Sequence, residues 1–340
     1  MQGPGEAYSL FRTEDMHNYS VEFSPFRDGL LAIGASQYFG IVGNGRQYIV
    51  QKDPVSGRMQ IVRFFETNDA IFDCTWNEMN ENQLASACGD GSVKLWDLQT
   101  KDAFPIQSYH EHMQEVSSVD WNVVSKRSFL TASHDGTVKL WDPTSPRSLR
   151  TFQEHAQTLY NAVWSPTHPS SFISCSGDGT VKIWDINQPM SAATIPAHRG
   201  EVLAVDWNKY DPFKFVTGGA TTDPRVKVWD LRQPQIPVEM AGHRFGIRRI
   251  KCSPHDEFTI ASCSYDMSVC IWRTNREDAL SMPYEHHSEF VFGIDWNLFR
   301  PGEIASASWD EHVCVFNINR PPPNRIPPPP RKPGMAPPLR

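Results

Sequence analysis

The chain of 340 residues has a formal net charge of -7, and its 39% hydrophobic and 11% aromatic residues are ample for a large folded core. This acidic balance disfavours partners with a phosphate backbone, so nucleic acid is excluded as the main ligand. No apolar run reaches about eighteen residues, which excludes a membrane-spanning helix and direct membrane insertion. Charged residues from Glu6 to Asp15 interrupt the N-terminal stretch, so no signal peptide is expected.

The segment 155–185 contains a pattern that most of the chain repeats. His155 is followed by Val163-Trp164, then by Ser174 and Asp178-Gly179, and finally by a strand-like run that ends in Trp184-Asp185. The aromatic residues that close successive copies, 43 to 45 positions apart, are Trp96, Trp141, Trp184, Trp229, Trp272 and Phe316. A period in this range that ends in Trp-Asp is typical of four-stranded propeller blades.

Seven repeats are predicted in chain order. The first, at about 14–57, lacks the His and the closing Trp-Asp, and the second, at about 58–101, lacks the His. Repeats three to six follow at about 102–145, 146–188, 189–233 and 234–276, and the seventh ends near 318. Residues 1–13 are expected to supply a strand that completes the last blade, because this removes an open sheet edge. The predicted fold class is therefore all-β, with a seven-bladed β-propeller at 14–318.

Two departures from the repeat are informative. In the fifth repeat the distance from His198 to Trp229 is 31 residues instead of 29, and the extra residues lie in 218–222, where a longer turn is expected. The tail at 319–340 holds runs of Pro, five basic residues and no acidic one. Proline cannot donate ladder hydrogen bonds, so we expect a disordered, proline-rich tail, with a ligand for a proline-binding groove as the alternative.

The sequence carries no pattern for a cofactor or a metal. The seven Cys include no C-x-x-C pair and fall in or beside strand-like runs, which indicates reduced, buried thiols in a cytosolic or nuclear protein. His286-His287 is the closest pair of potential ligands, but His287 occupies the repeat position. No Gly-rich phosphate loop and no nucleophile elbow occur, so no cofactor is predicted.

The recurring His, Ser or Thr, Asp and Trp resemble a catalytic set, but an active site is needed once and this set appears about five times. The pattern resembles that of the WD-repeat family, in which such a set forms a buried hydrogen-bonded chain. A structural role is reasonable, since an unpartnered buried polar group costs roughly 1–3 kcal/mol. We therefore predict that the protein is not an enzyme and that its function lies where the loops of the blades converge.

The resemblance to WD repeats implies which side chains face that end of the propeller. They form an acidic and an aromatic sector with two further members, and the candidate binding residues are Tyr19, Asp69, Phe72, Glu115, Tyr160, Glu201, Arg248, Tyr265, Phe290, Phe292 and Trp309. Grouped exposed aromatic residues usually mark an interface. An acidic strip beside an apolar one suits an amphipathic helix with a basic flank.

A closer resemblance is to the family of receptors for the type 2 peroxisomal targeting signal, the peroxin-7 family. It covers about residues 10–316 and is most specific at Arg248-Arg249 and Glu285-His286-His287, which are not WD consensus. These two runs lie in the similar segments 247–251 and 285–290, and the other similar segments are 21–26, 39–43, 68–76, 111–116, 195–198 and 261–266. The proline-rich tail and the insertion near Thr222 are departures.

This resemblance implies an import receptor of the cytosol and the peroxisome. Its cargo would carry a near-N-terminal helix with Arg, an aliphatic residue, five variable residues, His or Gln, and Leu or Ala. A co-receptor would join the complex and lead it to docking proteins of the peroxisomal membrane. We expect Glu115 and Glu201 to pair with Arg or His⁺ of the signal, and the aromatic sector to take its apolar side.

A second class of function remains open. The run Trp229-Asp230-Leu231-Arg232 resembles the ending by which some WD-repeat proteins dock a ubiquitin-ligase adaptor. The alternative prediction is therefore a substrate-recognition subunit of a ubiquitin ligase. An ordinary structural role of Arg232 at the end of its blade is the simpler interpretation of that run.

Overall fold

The computed structural model describes residues 8–276 and 278–324. They form seven four-stranded antiparallel sheets, and the inner strand of each sheet packs against the inner strands of its two neighbours, so that the sheets close into a ring. Within these two ranges the helical structure is one short 3-10 helix at Tyr38–Gly40, and no helix is long and apolar enough to cross a bilayer. The prediction of an all-β, seven-bladed propeller is confirmed.

Each blade runs from an inner strand at the centre of the ring to an outer strand at its rim. The strands of blades 1 to 4 are β2 (His17–Phe23), β3 (Leu30–Ser36), β4 (Gly45–Lys52), β5 (Met59–Thr67); β6 (Ile71–Trp76), β7 (Gln83–Cys88), β8 (Ser92–Asp97), β9 (Gln107–His110); β10 (Val116–Trp121), β11 (Phe129–Ser133), β12 (Val138–Trp141), β13 (Arg150–Phe152); β14 (Leu159–Trp164), β15 (Ser171–Ser176), β16 (Thr180–Asp185) and β17 (Ala193–Pro196). Those of blades 5 to 7 are β18 (Val202–Trp207), β19 (Lys214–Gly219), β20 (Arg225–Asp230), β21 (Val238–Ala241); β22 (Ile247–Cys252), β23 (Thr259–Ser264), β24 (Val269–Arg273), β25 (Leu280–Tyr284); β26 (Val291–Trp296), β27 (Glu303–Ser308), β28 (His312–Asn317), with β1 (Tyr8–Arg12) from the N-terminal segment.

Blade 7 is completed by the N-terminal segment. Strand β1 pairs antiparallel with β28, from Tyr8 opposite Phe316 to Arg12 opposite His312. An ion pair of 2.9 Å between Arg12 and Glu311 adds to this pairing. Both ends of the described chain are thereby joined in one sheet, and β1 covers the outer edge of β28 at the closure of the ring. Residues 1–7 and 325–340, which include most of the predicted proline-rich tail, lie outside the described residues.

A buried chain of hydrogen bonds links three parts of a blade. In blade 4, the His155 ring nitrogens lie 2.8 Å from the Asp178 carboxylate and 2.8 Å from the Ser174 hydroxyl, and the Trp184 indole donates to Ser174 at 2.8 Å. The same chain occurs in blades 3, 5 and 6, as His112, Asp135, Thr131 and Trp141; His198, Asp223, Thr217 and Trp229; and His243, Asp266, Ser262 and Trp272. The predicted structural role of these residues is confirmed.

Blade 7 keeps the chain although Phe316 stands where the other blades have Trp. His287 bonds to Asp310 at 2.9 Å and to the Ser306 hydroxyl at 2.8 Å, and the neighbouring His286 ring reaches the same hydroxyl at 2.9 Å. His287 Nδ1 donates to the carboxylate, so its Nε2 accepts from Ser306, and His286 Nε2 then donates to Ser306. His286 therefore supplies the donor that the indole supplies elsewhere.

Blade 2 lacks the repeat His, and the hydroxyl that this His would contact has another partner. The Ser86 hydroxyl, which accepts from the Trp96 indole at 2.8 Å, donates to the amide oxygen of Gln47 at 2.8 Å. Gln47 belongs to β4 of blade 1 and is fully buried. The hydrogen-bond acceptor for Ser86 of blade 2 thus comes from blade 1.

All seven cysteines are buried and free, as predicted from the strand-like runs around them. The turn between β19 and β20 spans 220–224, whereas the turn between β15 and β16 spans 177–179, so the insertion of the fifth repeat lengthens this turn.

The substitution His286→Ala is expected to destabilise the protein by about 2 kcal/mol, because Ser306 loses a donor and a cavity forms. Adding Phe316→Trp to this variant should restore about 1 kcal/mol, since an indole donates to the equivalent hydroxyl in the other blades. Urea unfolding measures both effects, and Glu285→Ala, at an exposed position, is the control. A double variant no more stable than His286→Ala would contradict the role of His286 as a donor.

Burial, with the Lys227 cation adding to it, lowers the pKa of His198 to about 4. The unfolded chain has a His pKa of about 6.5, so it binds the proton more readily than the folded state. The contribution of His198 to stability is complete above pH 6.5 and is lost as the pH falls towards 4, with a total of about 3 kcal/mol. The variant His198→Gln should flatten the pH dependence of the free energy of unfolding by about 1.4 kcal/mol per pH unit between pH 6 and 5.

The control for this titration is His110→Gln, which changes an exposed imidazole. It should leave the slope as it is in the natural sequence. Equal slopes in all three proteins would show that His198 does not contribute to the acid sensitivity.

Candidate functional site

The candidate site is the end of the ring at which the inner strands begin, called the mouth below. In every blade the pairing of the inner strand with its neighbour shifts register around the second or third residue of the strand. Such a β-bulge leaves one residue unpaired and re-aims its side chain. The seven bulged residues are Tyr19, Phe72, Ser117, Tyr160, Leu203, Arg248 and Phe292, and five of them are predicted binding residues.

Backbone hydrogen bonds join the other mouth residues within a blade. His134 N donates to the carbonyl of Glu115 at 2.9 Å, and Trp309 N donates to that of Phe290 at 3.0 Å. In each pair, one residue lies three positions after the repeat His and the other directly before the repeat Asp. The buried His–Asp contact therefore fixes both members at the mouth.

The aromatic sector consists of Tyr19, Phe72, Tyr265, Phe290, Phe292 and Trp309. Phe292 is stacked on Trp309 with ring centroids 4.5 Å apart, and it lies 4.8 Å from Tyr19 and 5.4 Å from Tyr265. Phe72 joins through Tyr19 at 5.1 Å, and Phe290 through Tyr265 at 5.3 Å. The six rings form one continuous cluster.

The rings of the sector differ in exposure. Tyr19 and Phe292 are only 5% and 6% exposed. Each of them contacts rings of both neighbouring blades: Tyr19 contacts Phe72 and Phe292, and Phe292 contacts Tyr19 and Tyr265. Phe72, Tyr265, Phe290 and Trp309 are half-buried and leave part of their surface at the mouth.

His17 and Phe39 extend the sector beyond the predicted binding residues. The His17 ring is stacked on Phe39 with centroids 3.9 Å apart, and Phe39 lies 5.1 Å from Trp309. Phe39 comes from the link between β3 and β4, and the Tyr19 hydroxyl donates to its carbonyl at 2.6 Å. Burial raises the pKa of Tyr19, so its phenol stays protonated and able to donate. Phe39 lies in 39–43, one of the segments that resemble the peroxin-7 family, but the repeat pattern does not place it at the mouth.

The acidic sector is formed by Asp69, Glu115 and Glu201. The His134 ring lies 2.8 Å from the Glu115 carboxylate, and the hydrogen bond between them lowers the pKa of the Glu115 carboxyl. The Glu115 side chain is 47% exposed. The His134 ring in turn packs edge-on against Tyr160 at 5.9 Å.

The other two carboxylates also lie beside aromatic rings. Burial, and next the negative charge of Glu201, raise the pKa of Tyr160 to about 12, which places that carboxylate close to the phenol. Asp69 and Phe72 both border Gly89, because a Cβ added there would lie 2.9 Å from Asp69 Oδ1 and 3.4 Å from Phe72 Cε2. Acidic and aromatic side chains therefore share one face of the propeller.

Comparison with known proteins identifies the family. The family model described as "WD domain, G-beta repeat" matches residues 59–97, 103–142, 146–185, 190–230 and 235–273. A peroxisomal targeting signal 2 receptor of Dictyostelium discoideum is 50% identical over 307 residues, which are 90% of this chain and 96% of the relative. The chain belongs to this family of WD-repeat receptors.

Other members of the family are similar over different lengths. The peroxisomal targeting signal 2 receptor of Mus musculus is 43% identical over 312 residues, 92% of this chain and 97% of the relative. Peroxisome biogenesis protein 7 of Arabidopsis thaliana is 46% identical over 105 residues, 31% of this chain and 33% of the relative. The similarity to the first two relatives covers about nine-tenths of this chain.

Arg232, on which the ubiquitin-ligase alternative depends, makes contacts with other residues of the same blade. The Arg232 guanidinium pairs with Asp211 at 2.9 Å and with Asp230 at 2.5 Å, and it lies over the Phe213 ring at 5.2 Å. These contacts account for Arg232 as a residue that holds the end of its blade.

The substitution Gly40→Ala should disrupt the link that carries Phe39. Gly40 has a φ of 68°, and a Cβ there would lie 2.7 Å from the Tyr19 hydroxyl and 3.1 Å from Phe72. We expect a loss of stability of about 2–4 kcal/mol in urea unfolding, the sum of backbone strain and collision. Hydrogen exchange at the Ile41 amide should also become faster.

The control for backbone strain is Gly57→Ala. Gly57 has a φ of 70°, but the nearest atom to its added Cβ is the Ser9 hydroxyl at 3.1 Å, which can rotate away. This variant should lose about 1 kcal/mol. Equal losses in both variants would mean that packing of Gly40 against Tyr19 and Phe72 does not matter.

Proposed function

We propose that the protein is a non-enzymatic import receptor whose mouth binds the amphipathic targeting helix of peroxisomal matrix proteins. The observation that carries this proposal is the meeting of three carboxylates with a continuous aromatic cluster on one face. A relative that is 50% identical over 90% of the chain and bears the name of such a receptor supports it.

The two sectors suit the two sides of a basic amphipathic helix. Its apolar side would lie on the half-buried rings of Trp309, Phe290 and Tyr265, where each buried CH₂ group contributes about 0.8 kcal/mol. Its basic side chains would pair with Glu115, Glu201 and Asp69 at the edge of the rings. Because Glu115 is about half exposed, its charge steers the encounter more than it adds to the final affinity.

The bound helix would leave one long side facing away from the propeller, since it would lie across the ends of the inner strands. A co-receptor could cover that side and lead the complex to docking proteins of the peroxisomal membrane. The receptor would then work in the cytosol and at the peroxisome. No observation at Arg232 favours the ubiquitin-ligase alternative.

Reversing the charge of Glu115 tests the proposal. With Glu115→Arg, the affinity for a fluorescein-labelled targeting peptide should fall at least tenfold, because a carboxylate that attracts the basic side of the helix becomes a cation. Fluorescence polarisation measures the affinity, and thermal unfolding should be unchanged because the residue is exposed.

The matched control is Glu257→Arg, an exposed glutamate in the link between β22 and β23. The six residues of β22 separate it from the mouth by about 20 Å. It should bind the peptide as the natural sequence does. Unaltered affinity of Glu115→Arg would remove this residue from the binding site.

A further inference from the structure

The end of the ring opposite the mouth, called the base below, is formed where the inner strands end. In every blade the residue directly after the inner strand is Asn or Ser, and its side-chain oxygen accepts from the backbone N–H two positions later, at 2.8 to 3.3 Å. This shared turn places one residue of each blade at an equivalent position of the base. These residues are Phe26, Met79, Val124, Tyr210 and Phe299 in blades 1, 2, 3, 5 and 7, and Thr167 and His255 in blades 4 and 6.

The base exposes many large apolar side chains. The five apolar residues held by the shared turn are 37% to 65% exposed, and Leu298 beside Phe299 is 48% exposed. The links between the third and fourth strands lie at the same end of the ring, and their side chains are 58% to 79% exposed at Phe104, Leu149, Met190 and Ile236. Exposed apolar residues that are grouped on one face usually mark an interface.

The apolar area of the base matches that of a protein–protein interface. Ten side chains that each expose about half of roughly 200 Å² offer about 1,000 Å² of apolar surface. A standard interface takes about 800 Å² from each partner. The base is therefore large enough to bind a folded protein through its apolar side chains.

Most charged residues of the links between inner and second strands pair with each other. Lys209, Asp211 and Asp256 form ion pairs within their own blades. Three more ion pairs, of 2.8 to 3.6 Å, join the links of neighbouring blades, and they are Arg300–Asp28, Arg27–Glu81 and Lys126–Glu78. This internal pairing neutralises most of the charge of the base and leaves apolar side chains as its main feature.

Two charged residues of these links have no ion-pair partner among the described residues. They are Arg127 in blade 3 and Glu257 in blade 6, and both are exposed. A twofold axis that lies in the plane of the base reverses the order of the blades around the ring. When this axis passes through blade 1, it superposes blade 3 on blade 6, so that Arg127 of each copy faces Glu257 of the other.

The same axis brings the apolar residues of two copies together. It superposes blade 2 on blade 7, which places Met79 opposite Phe299, and it places Phe26 of blade 1 opposite Phe26 of the second copy. Of the seven in-plane axes that superpose blades on blades, only this one sets Arg127 and Glu257 against each other. The base is therefore complementary to itself in charge as well as in apolar character.

We propose that the base is a homodimer interface, in which a second copy of this chain is bound with two reciprocal pairs between Arg127 and Glu257. The two mouths then lie at opposite ends of the dimer and face away from each other. The dimer does not depend on the proposed function. If that function holds, one dimer carries two cargo proteins, because neither mouth is covered.

Sedimentation velocity of the full chain at about 1 to 100 µM should show a monomer–dimer equilibrium, since interfaces of standard size reach at least micromolar affinity. The variants Arg127→Glu and Glu257→Arg should each raise the dissociation constant of the dimer about tenfold or more, because each sets like charges against each other at two places. The variant that carries both substitutions should return to within about threefold of the natural sequence.

An equimolar mixture of the two single variants is a further test. In a heterodimer of these variants, both contacts again join opposite charges, so the mixture should dimerise as the natural sequence does. Thermal unfolding checks that every variant is folded, which is expected because both positions are exposed.

The apolar part of the interface is tested by Phe26→Glu. This substitution sets two carboxylates against each other at the axis and should abolish the dimer. The matched control is Ile41→Glu, at a residue that is 85% exposed in the link between β3 and β4, at the mouth end of the ring. It should leave the dissociation constant unchanged.

Three outcomes would overturn the proposal. One is a natural chain that stays monomeric at the highest concentration, and another is a dimer that both single charge reversals leave unchanged. The third is a dimer that forms only after residues 325–340 are removed, which would make the chain's own tail the occupant of the base. Affinity for the targeting peptide is measured separately at the mouth, so each of these outcomes leaves the proposed function standing.

Discussion

The contact between the repeat His and the repeat Asp is the interaction on which the mouth depends. In blade 3, His112 stands three residues before Glu115, and Asp135 stands directly after His134. The buried pair, 2.9 Å apart, joins the loop that enters the blade to the turn between its middle strands. Two side chains from distant parts of the repeat are thereby held next to each other at the surface.

The same architecture tolerates changes as long as the buried hydrogen bonds are kept. Blade 7 lacks the indole but uses His286, and blade 2 lacks the His but takes the amide of Gln47 from blade 1. An unpartnered hydroxyl in the core costs more than the loss of a repeat residue that another side chain can replace.

The mouth combines three kinds of surface. The half-buried rings offer apolar area, the exposed carboxylates carry negative charge, and the buried Arg248 guanidinium carries a positive charge. Because the carboxylates and Arg248 act on the same buried phenols, each of them changes the electrostatic potential at the others.

The sequence by itself determined the number of blades, the strand-forming runs, the buried polar chains and the end of the ring where the candidate residues lie. These follow from local periodicity, because a blade is built almost entirely from one repeat of about 44 residues and its turns. The longer turn of the fifth repeat could also be predicted, because its His-to-Trp distance is 31 residues instead of 29.

Only the tertiary structure decided how those residues meet. The bulges that bury Tyr19 and Phe292, the packing of Phe39 on His17 and Trp309, and the difference between Arg248 and Arg249 depend on contacts between residues far apart in the chain. Arg249 finds Asp73 at a separation of 176 positions, whereas Arg248 finds no acceptor. A repeat pattern describes each blade separately, so it cannot show which side chain a neighbouring blade will satisfy and which it will leave without a partner.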